Sequence, residues 1–503
     1  MKILCLGNNT EDTDIKTRNL AQQDLAECHG LLSDLDNEVT INDINNSGYY
    51  HTSVYDMEYG KLFDFAQRFN KIIVLDQPKE EYSHPDAFFK TIQLAKELRQ
   101  FTEVLLDPSY ESNINFFNDL VTTNKSFCIF PFIELLTNQR TDNQTTVCCR
   151  SNTPVARLDE ITNFATNKNY KIIRDKMIAG MPVTDHCSSC YELEDQNILS
   201  PREQETVEWA NRLNLTSLED LNSIQYPAYY EIRPSNICNL QCRMCGPTYS
   251  HLIGKEYKKI NLITELPPTE RSDFDIVNFT NLKKLYVAGG EPTTMPEFYD
   301  FLDRCIDENK TFEFLVNTNA TKINGRFKKQ LKLLPHMQFI VSLEGIGDVN
   351  HYVRWPSQWD TIVENMKYLF NNHHKITINT TVSIYNVTRV YDLFRWLDDE
   401  FPGVLVHAQL AGSNNDMLSA LNFPDTKLVL SKLLPIRQLK CYNNDKLLKS
   451  LVDGLIQHYQ RNPTVDPVKL KLFFEFNDKL DQSRNIKLAD YIPELEQERK
   501  LIS

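Results

Sequence analysis

Three thiols share one short loop, Cys238-Asn-Leu-Gln-Cys242-Arg-Met-Cys245, spaced by three and then two residues. Thiolates are soft ligands that suit iron–sulfur clusters, zinc or copper(I). A closed structural zinc site takes four protein ligands, and no fourth cysteine follows nearby. A 4Fe–4S cluster on three thiolates keeps one iron open, which is what a substrate-binding cluster needs. Upstream, Cys128, Cys148, Cys149, Cys187 and Cys190 form a second group. Four or five thiolates with a Cys-x-x-Cys turn can close a separate site, as zinc or as a 4Fe–4S cluster, and spacing does not choose between them. Cys5, Cys28, Cys305 and Cys441 stand alone in apolar or helical surroundings and read as buried or inert thiols.

The elements that must position these groups are legible from periodicity. Over 225–430, strand-like runs recur at Tyr229–Arg233, Leu282–Ala288, Thr311–Val316, Gln338–Leu343, Ile376–Ser383 and Val404–Gln409. Helical patterns separate them at Tyr249–Lys259, Pro296–Asn309, Gly325–Leu334, Gln358–Asn371 and Thr388–Phe401. Such alternation predicts a parallel, barrel-like (β/α)6 sheet with outer helices, whose chemistry sits at the C-terminal strand ends. The three-cysteine loop directly follows the first of these strands. The second ends in Ala288-Gly289-Gly290-Glu291-Pro292. Glycines there let backbone approach a ligand, and a carboxylate suits an ammonium group.

The remaining chain reads as three further segments. Residues 1–112 alternate strand and helix signals, with strands at Lys2–Leu6 and Lys71–Leu75 and helices at Lys16–Cys28, Tyr59–Phe69 and Ala87–Arg99. They predict a small α/β domain, flavodoxin-like in layout, with Gly7-Asn8-Asn9 as a turn after the first strand. Residues 118–215 are polar and cysteine-bearing, and a metal site would explain how they fold. Residues 431–503 read as a helical cover, with Leu472, Phe476 and Leu480 on one face and Phe473 beside them.

Arg233-Pro-Ser-Asn-Ile-Cys238 through Cys245-Gly-Pro247, followed one strand later by Gly289-Gly290-Glu291-Pro292, resembles the radical S-adenosylmethionine (SAM) superfamily. The resemblance implies a partial TIM-like α/β barrel with a 4Fe–4S cluster on Cys238, Cys242 and Cys245. It implies SAM bound at the open iron, with its amino group on Gly289, Gly290 and Glu291. Asn317, Asn319, Ser342 and Glu344, at the next two strand ends, would contact its ribose and methionine parts, and Arg354 would pair with its carboxylate. Reductive cleavage of SAM would then give methionine and a 5′-deoxyadenosyl radical that abstracts hydrogen from a substrate. Phe127-Cys128-Ile-Phe-Pro131-Phe132, with Cys148-Cys149 and Cys187-Ser-Ser-Cys190, is similar to the truncated SPASM or twitch module, although here it precedes the barrel. That likeness implies an auxiliary 4Fe–4S cluster on Cys128, Cys148, Cys187 and Cys190, with Cys149 the substitute for Cys148. Such a cluster has no open iron. It would move electrons, favouring a net oxidation. Relatives of this kind act on peptides, proteins or small polyols and take electrons from a flavodoxin- or ferredoxin-type partner.

Composition bounds the alternatives. The 503 residues carry a net charge of −14, with 41% hydrophobic and 24% charged residues. An acidic balance argues against a protein built to grip nucleic acid, which counts against RNA modification. No window reaches the length of a membrane span, and the start lacks signal-peptide flanks. A cytoplasmic place, with cysteines as thiols or metal ligands, is the expectation. A non-catalytic redox or scaffold protein is the competing class, and the complete cysteine loop together with Gly-Gly-Glu-Pro counts against it. No side chain stands out as the catalytic group that quenches a product radical.

Overall fold

The structure is a computed structural model. It describes strands Ile3–Leu6, Lys71–Val74 and Glu103–Leu106, and then residues 108–502 except 139–143, 152, 162, 196–199, 269–273, 412–415 and 462–463. The chain divides into two compact units, Met1–Phe132 with Lys171–Ile224, and Ile133–Tyr170 with Gln225–Ser503.

In the first unit, β1 (Ile3–Leu6), β2 (Lys71–Val74) and β3 (Glu103–Leu106) form a parallel sheet in that order. Two of these strands coincide with the apolar runs expected there, and β3 was not expected. The three early helices and the Gly7-Asn8-Asn9 turn lie outside the described residues. Helices follow at Pro108–Thr123, Thr184–Asp195 and Pro201–Arg212. Ser200-Pro-Arg-Glu203 begins the last of these with reciprocal side chain to backbone bonds, a capping box with proline in the first turn.

The second unit is built on a nine-stranded sheet of order β12-β11-β10-β9-β8-β7-β4-β5-β6. Strands β7 (Tyr229–Ile232), β8 (Lys284–Val287), β9 (Glu313–Thr318), β10 (Met337–Ser342), β11 (Ile376–Val382) and β12 (Leu405–Leu410) are parallel neighbours in sequence order. They match the six expected strands to within two residues at every end. Helices His251–Lys259, Pro296–Glu308, Gly325–Leu331, Trp359–Asn371 and Val390–Glu400 connect them, together with a short helix Gly347–Val353 that periodicity did not reveal.

Side chains alternate across β9, β10 and β11. Phe314, Val316, Phe339, Val341 and Ile378 are buried. Asn317, Ser342 and Asn379 point to the opposite, half-buried face. Helix Pro296–Glu308 buries Phe298, Phe301, Leu302 and Cys305, and Phe274 stacks on Phe301 at 4.8 Å. Each such side chain contributes about 1.5–3 kcal/mol on burial.

Two features differ from the sequence reading. Residues 118–215, expected as one segment, are shared between the units. β4 (Glu134–Asn138) adds parallel to β7, and β5 (Gln144–Thr146) and β6 (Ala156–Arg157) continue antiparallel. Helix Pro467–Arg484 does not bury the face expected from Leu472, Phe476 and Leu480. Leu472 is 50% exposed, and the buried face is Leu470, Phe473, Phe474, Asn477, Leu480, Asp481 and Arg484. Three polar residues occupy core positions there, so an apolar-only count places the stripe wrongly.

Candidate functional site

The cysteine loop leaves the C-terminal end of β7 and is held by its own backbone. Cys238 N–H donates to His251 Nδ1 at 3.3 Å, Gln241 N–H to the Trp355 carbonyl at 2.6 Å, Arg243 N–H to the Val353 carbonyl at 2.8 Å and Cys245 N–H to the Cys242 carbonyl at 3.0 Å. Cys242 is buried, and Cys238 and Cys245 are half-buried. Burial, then the charge of Cys242, pushes Cys238 up to about 12, and burial, then Cys242 and Cys238, raises Cys245 further. The three thiols therefore sit within electrostatic reach of one another. Burial disfavours the thiolate at all three, and binding of a metal group there would release protons. Among the described residues no three His, Cys, Asp or Glu side chains converge as closely as a single metal ion requires.

Gly289 and Gly290 follow β8 with φ of 88° and 54°. A Cβ on Gly290 would lie 2.1 Å from the Ile237 carbonyl oxygen and 2.9 Å from that of Ser235. Only glycine lets this loop pack on the cysteine loop, where Glu291 N–H also donates to the Ile237 carbonyl at 2.8 Å. The Glu291 side chain is almost fully buried. Its Oε1 accepts from Thr293 N–H, the Thr293 hydroxyl and the Thr318 hydroxyl at 3.2, 2.7 and 2.7 Å. Among the described residues its Oε2 accepts only the Asn319 N–H, at 2.6 Å, which leaves acceptor capacity there. Burial raises its pKa, against the pull of those donors.

The other sequence-predicted residues divide by role. Asn319 is buried and ties the loops together, its amide donating to Asn239 Oδ1 at 2.9 Å and its Oδ1 accepting from the Thr321 hydroxyl at 2.6 Å. Asn317 and Ser342 meet on the half-buried sheet face, hydroxyl to Oδ1 at 3.4 Å. Arg354 Nη1 donates to Glu344 Oε1 at 3.0 Å, and Thr381 N–H donates to Glu344 Oε2 at 2.8 Å. Burial pushes Glu344 up to about 7, against the lowering pull of Arg354. Burial lowers the pKa of Arg354, but Cys242 and then Glu344 pull it up and the net shift is upward. Its Nε is buried without a hydrogen-bond partner, a cationic donor left over beside the three thiols. The closely approached glycine loop, the spare Oε2 and this orphaned donor fit a group that combines thiolate ligation with an ammonium and a carboxylate.

Cys128, Cys187 and Cys190 lie in the first unit and are all buried. Cys187 and Cys190 share one face of helix Thr184–Asp195, three residues apart. Burial, then Cys187 and less strongly Cys190, raises Cys128, so the three are neighbours. Arg202 fixes this arrangement. Its Nε and Nη2 both reach Glu194 at 2.8 Å, and its Nη1 donates to the Phe127 carbonyl at 2.7 Å, next to Cys128. Cys148 and Cys149 belong to the second unit. There Cys149 feels the charges of Glu231, Glu134 and Arg233.

Sequence reasoning missed the residues behind these sites. Arg202 and Glu194 carried no signal beyond charge. Asn350 and Asn386, which bind the Glu344 backbone N–H and carbonyl at 3.0 and 2.9 Å, read as ordinary polar residues. Arg243, a cation inside the cysteine loop, was the one visible anomaly.

Residues 232–397 match the family model described as the Radical SAM superfamily. No curated protein matches the chain. Among solved structures, SuiB of Streptococcus suis bound to S-adenosylmethionine is 17% identical, covering 48% of this chain and 55% of that one, with a TM-score of 0.27. SuiB bound to the precursor peptide SuiA is 16% identical over 59% and 61% of the two chains, with a TM-score of 0.29. The protein anSMEcpe with bound AdoMet is 18% identical over 42% and 60%, with a TM-score of 0.31. The chain thus spans little more than half the length of each.

Proposed function

We propose that this chain is a radical SAM enzyme. On this reading Cys238, Cys242 and Cys245 hold a 4Fe–4S cluster, and the six parallel strands are a partial (β/α)6 barrel around its ligand. The observation that carries the reading is the packing of the glycine loop on the three-cysteine loop at adjacent strand ends, within the segment that matches the superfamily. When bound, the cluster and SAM together supply one-electron cleavage of a carbon–sulfur bond and a 5′-deoxyadenosyl radical that takes hydrogen from the substrate. The chain's own residues bind and orient. The Gly289-Gly290 backbone and Glu291 Oε2 receive the SAM amino group, and the Arg354 guanidinium, through its free Nε, receives the carboxylate. Asn317 and Ser342 present polar groups to the ribose and methionine portions, while Asn319 and Glu344 hold the loops in place.

The upstream thiols belong to the same proposal. Cys128, Cys187 and Cys190 are read as ligands of an auxiliary 4Fe–4S cluster, with Cys148, or Cys149 in its place, as the fourth. That choice of fourth ligand comes from the sequence. The substrate is read as a peptide, a protein or a small polyol, oxidised overall, with a flavodoxin- or ferredoxin-type protein as electron source.

Iron and acid-labile sulfide per chain, after anaerobic reconstitution, test the reading. About eight irons in the wild type, falling to about four in a Cys238/Cys242/Cys245→Ala variant, is the expected result. SAM cleavage under strong reductant, lost in the variant, separates an enzyme from a passive iron–sulfur protein. Iron unaffected by the triple change would sink the proposal.

A further inference from the structure

We infer that helix Pro467–Arg484 is a positioning element for the three-cysteine loop, acting through Arg243. This rests on the assignment of Cys238, Cys242 and Cys245 as cluster ligands. Arg243 stands between Cys242 and Cys245, yet its side chain is fully buried. Every arm of its guanidinium is engaged. Nε donates to the Tyr352 carbonyl at 2.9 Å, Nη1 to Asn477 Oδ1 at 2.8 Å and Nη2 to Asp481 Oδ1 at 2.5 Å. Its Cζ lies 3.6 Å from the Tyr352 ring centroid. The Tyr352 hydroxyl donates in turn to Asp481 at 2.9 Å, and the Tyr385 hydroxyl to Asn477 at 3.1 Å.

A second tie sits one turn further along the same helix. Arg484 meets Glu256 through two bonds of 2.9 and 2.6 Å, and its Nη2 also donates to the Gln241 carbonyl at 2.8 Å. Glu256 lies on helix His251–Lys259, which continues from the loop. Asn477, Asp481 and Arg484 are therefore three polar residues on one buried helical face, each bonded to the loop or to what flanks it. A helix that only covered a core would place apolar side chains there. A buried arginine is costly unless paired and hydrogen-bonded, and Arg243 pairs with Asp481 and has a partner at each of its three nitrogens. The helix holds the loop through Arg243 and the Gln241 carbonyl, and backbone bonds from Gln241 and Arg243 to residues 355 and 353 hold it as well. Together they set where three thiols on a short loop can point.

The test uses the full chain in four forms: wild type, Asp481→Asn, Arg243→Lys, and a Val406→Ala core variant matched for loss of thermal midpoint. In the metal-free chains, alkylation of individual cysteines is followed by mass spectrometry. In reconstituted chains, iron content and the EPR spectrum of the reduced cluster are read with and without SAM. Asp481→Asn and Arg243→Lys are expected to label Cys238, Cys242 and Cys245 at least about tenfold faster. Cys305 and Cys441 should label at the wild-type rate. The two variants should also show an altered cluster EPR spectrum or a lost response to SAM, which the matched core variant retains. Wild-type labelling rates and wild-type spectra in both clamp variants would overturn the inference. Faster labelling in a chain whose wild type places no iron on these cysteines would retire the cluster assignment, and the inference with it.

Discussion

At the scale of single residues, Gly290 is the described glycine whose added Cβ would meet its neighbours most closely. Its φ of 54° and the 2.1 Å approach to the Ile237 carbonyl leave no room for any side chain. Gly290→Ala is expected to cost about 1–3 kcal/mol from backbone strain alone. The forced separation of the two loops should weaken SAM binding by more than the stability loss explains. Thermal melts and isothermal titration with SAM check both parts. Glu494 offers a pH-dependent counterpart. Burial opposes its ionisation, but bonds of 2.6 Å from Arg389 Nε and Nη2 and 3.0 Å from the Thr388 hydroxyl outweigh that and hold its pKa below the usual carboxylate range. A lowered folded-state pKa gives stability that is present above the unfolded value and is lost as pH falls through the folded one. The urea midpoint of Glu494→Gln should therefore trail the wild type at neutral pH and converge with it as pH falls below about 4.

At the scale of elements, buried arginines do the work that sequence motifs do not advertise. Arg202 joins helix Pro201–Arg212 to Glu194, on the Cys187–Cys190 helix, and to the Phe127 carbonyl beside Cys128. Removing one partner of a buried pair costs about 3–5 kcal/mol. Arg202→Met is expected to lower the melting midpoint and to reduce iron loading by about four per chain, leaving the Cys238 set loaded. Unchanged iron would show that the upstream thiols do not depend on this brace. The same logic, a long side chain reaching from one helix to a cysteine-bearing segment, recurs in the second unit with Arg484, whose Nη2 donates to the Gln241 carbonyl at 2.8 Å.

At the scale of the whole molecule, the sheet of the second unit does not begin at β7. β4 pairs with β7, the Ala228 N–H donates to the Ile133 carbonyl at 2.8 Å, and the Arg233 N–H donates to the Thr137 hydroxyl oxygen at 2.8 Å. A fragment of residues 225–503 would leave β7 as an unpaired edge, open to association with other chains. Such a fragment is expected to unfold at lower urea than the full chain and to aggregate in light scattering. Equal stability would mean that β4–β6 add nothing to the sheet. Among the described residues no helix is long and apolar enough to cross a membrane.

What the sequence determined by itself was local. Six strands and five helices between 225 and 430 were legible because alternation and amphipathic spacing are written over a few residues at a time. The three-cysteine loop and Gly-Gly-Glu-Pro were legible because metal and ligand chemistry demands fixed residue types at fixed spacing. The tertiary structure decided what links distant positions. It put Asn477 and Asp481 against Arg243, more than 230 residues earlier in the chain. It turned Leu472 outward and gave strands β4, β5 and β6 to the sheet of the second unit. It also separated Asn319, which ties loops together, from Asn317, which faces outward from the sheet. Each of these depends on which polar groups find partners once water is excluded, and a buried hydrogen bond between residues remote in sequence leaves no local trace.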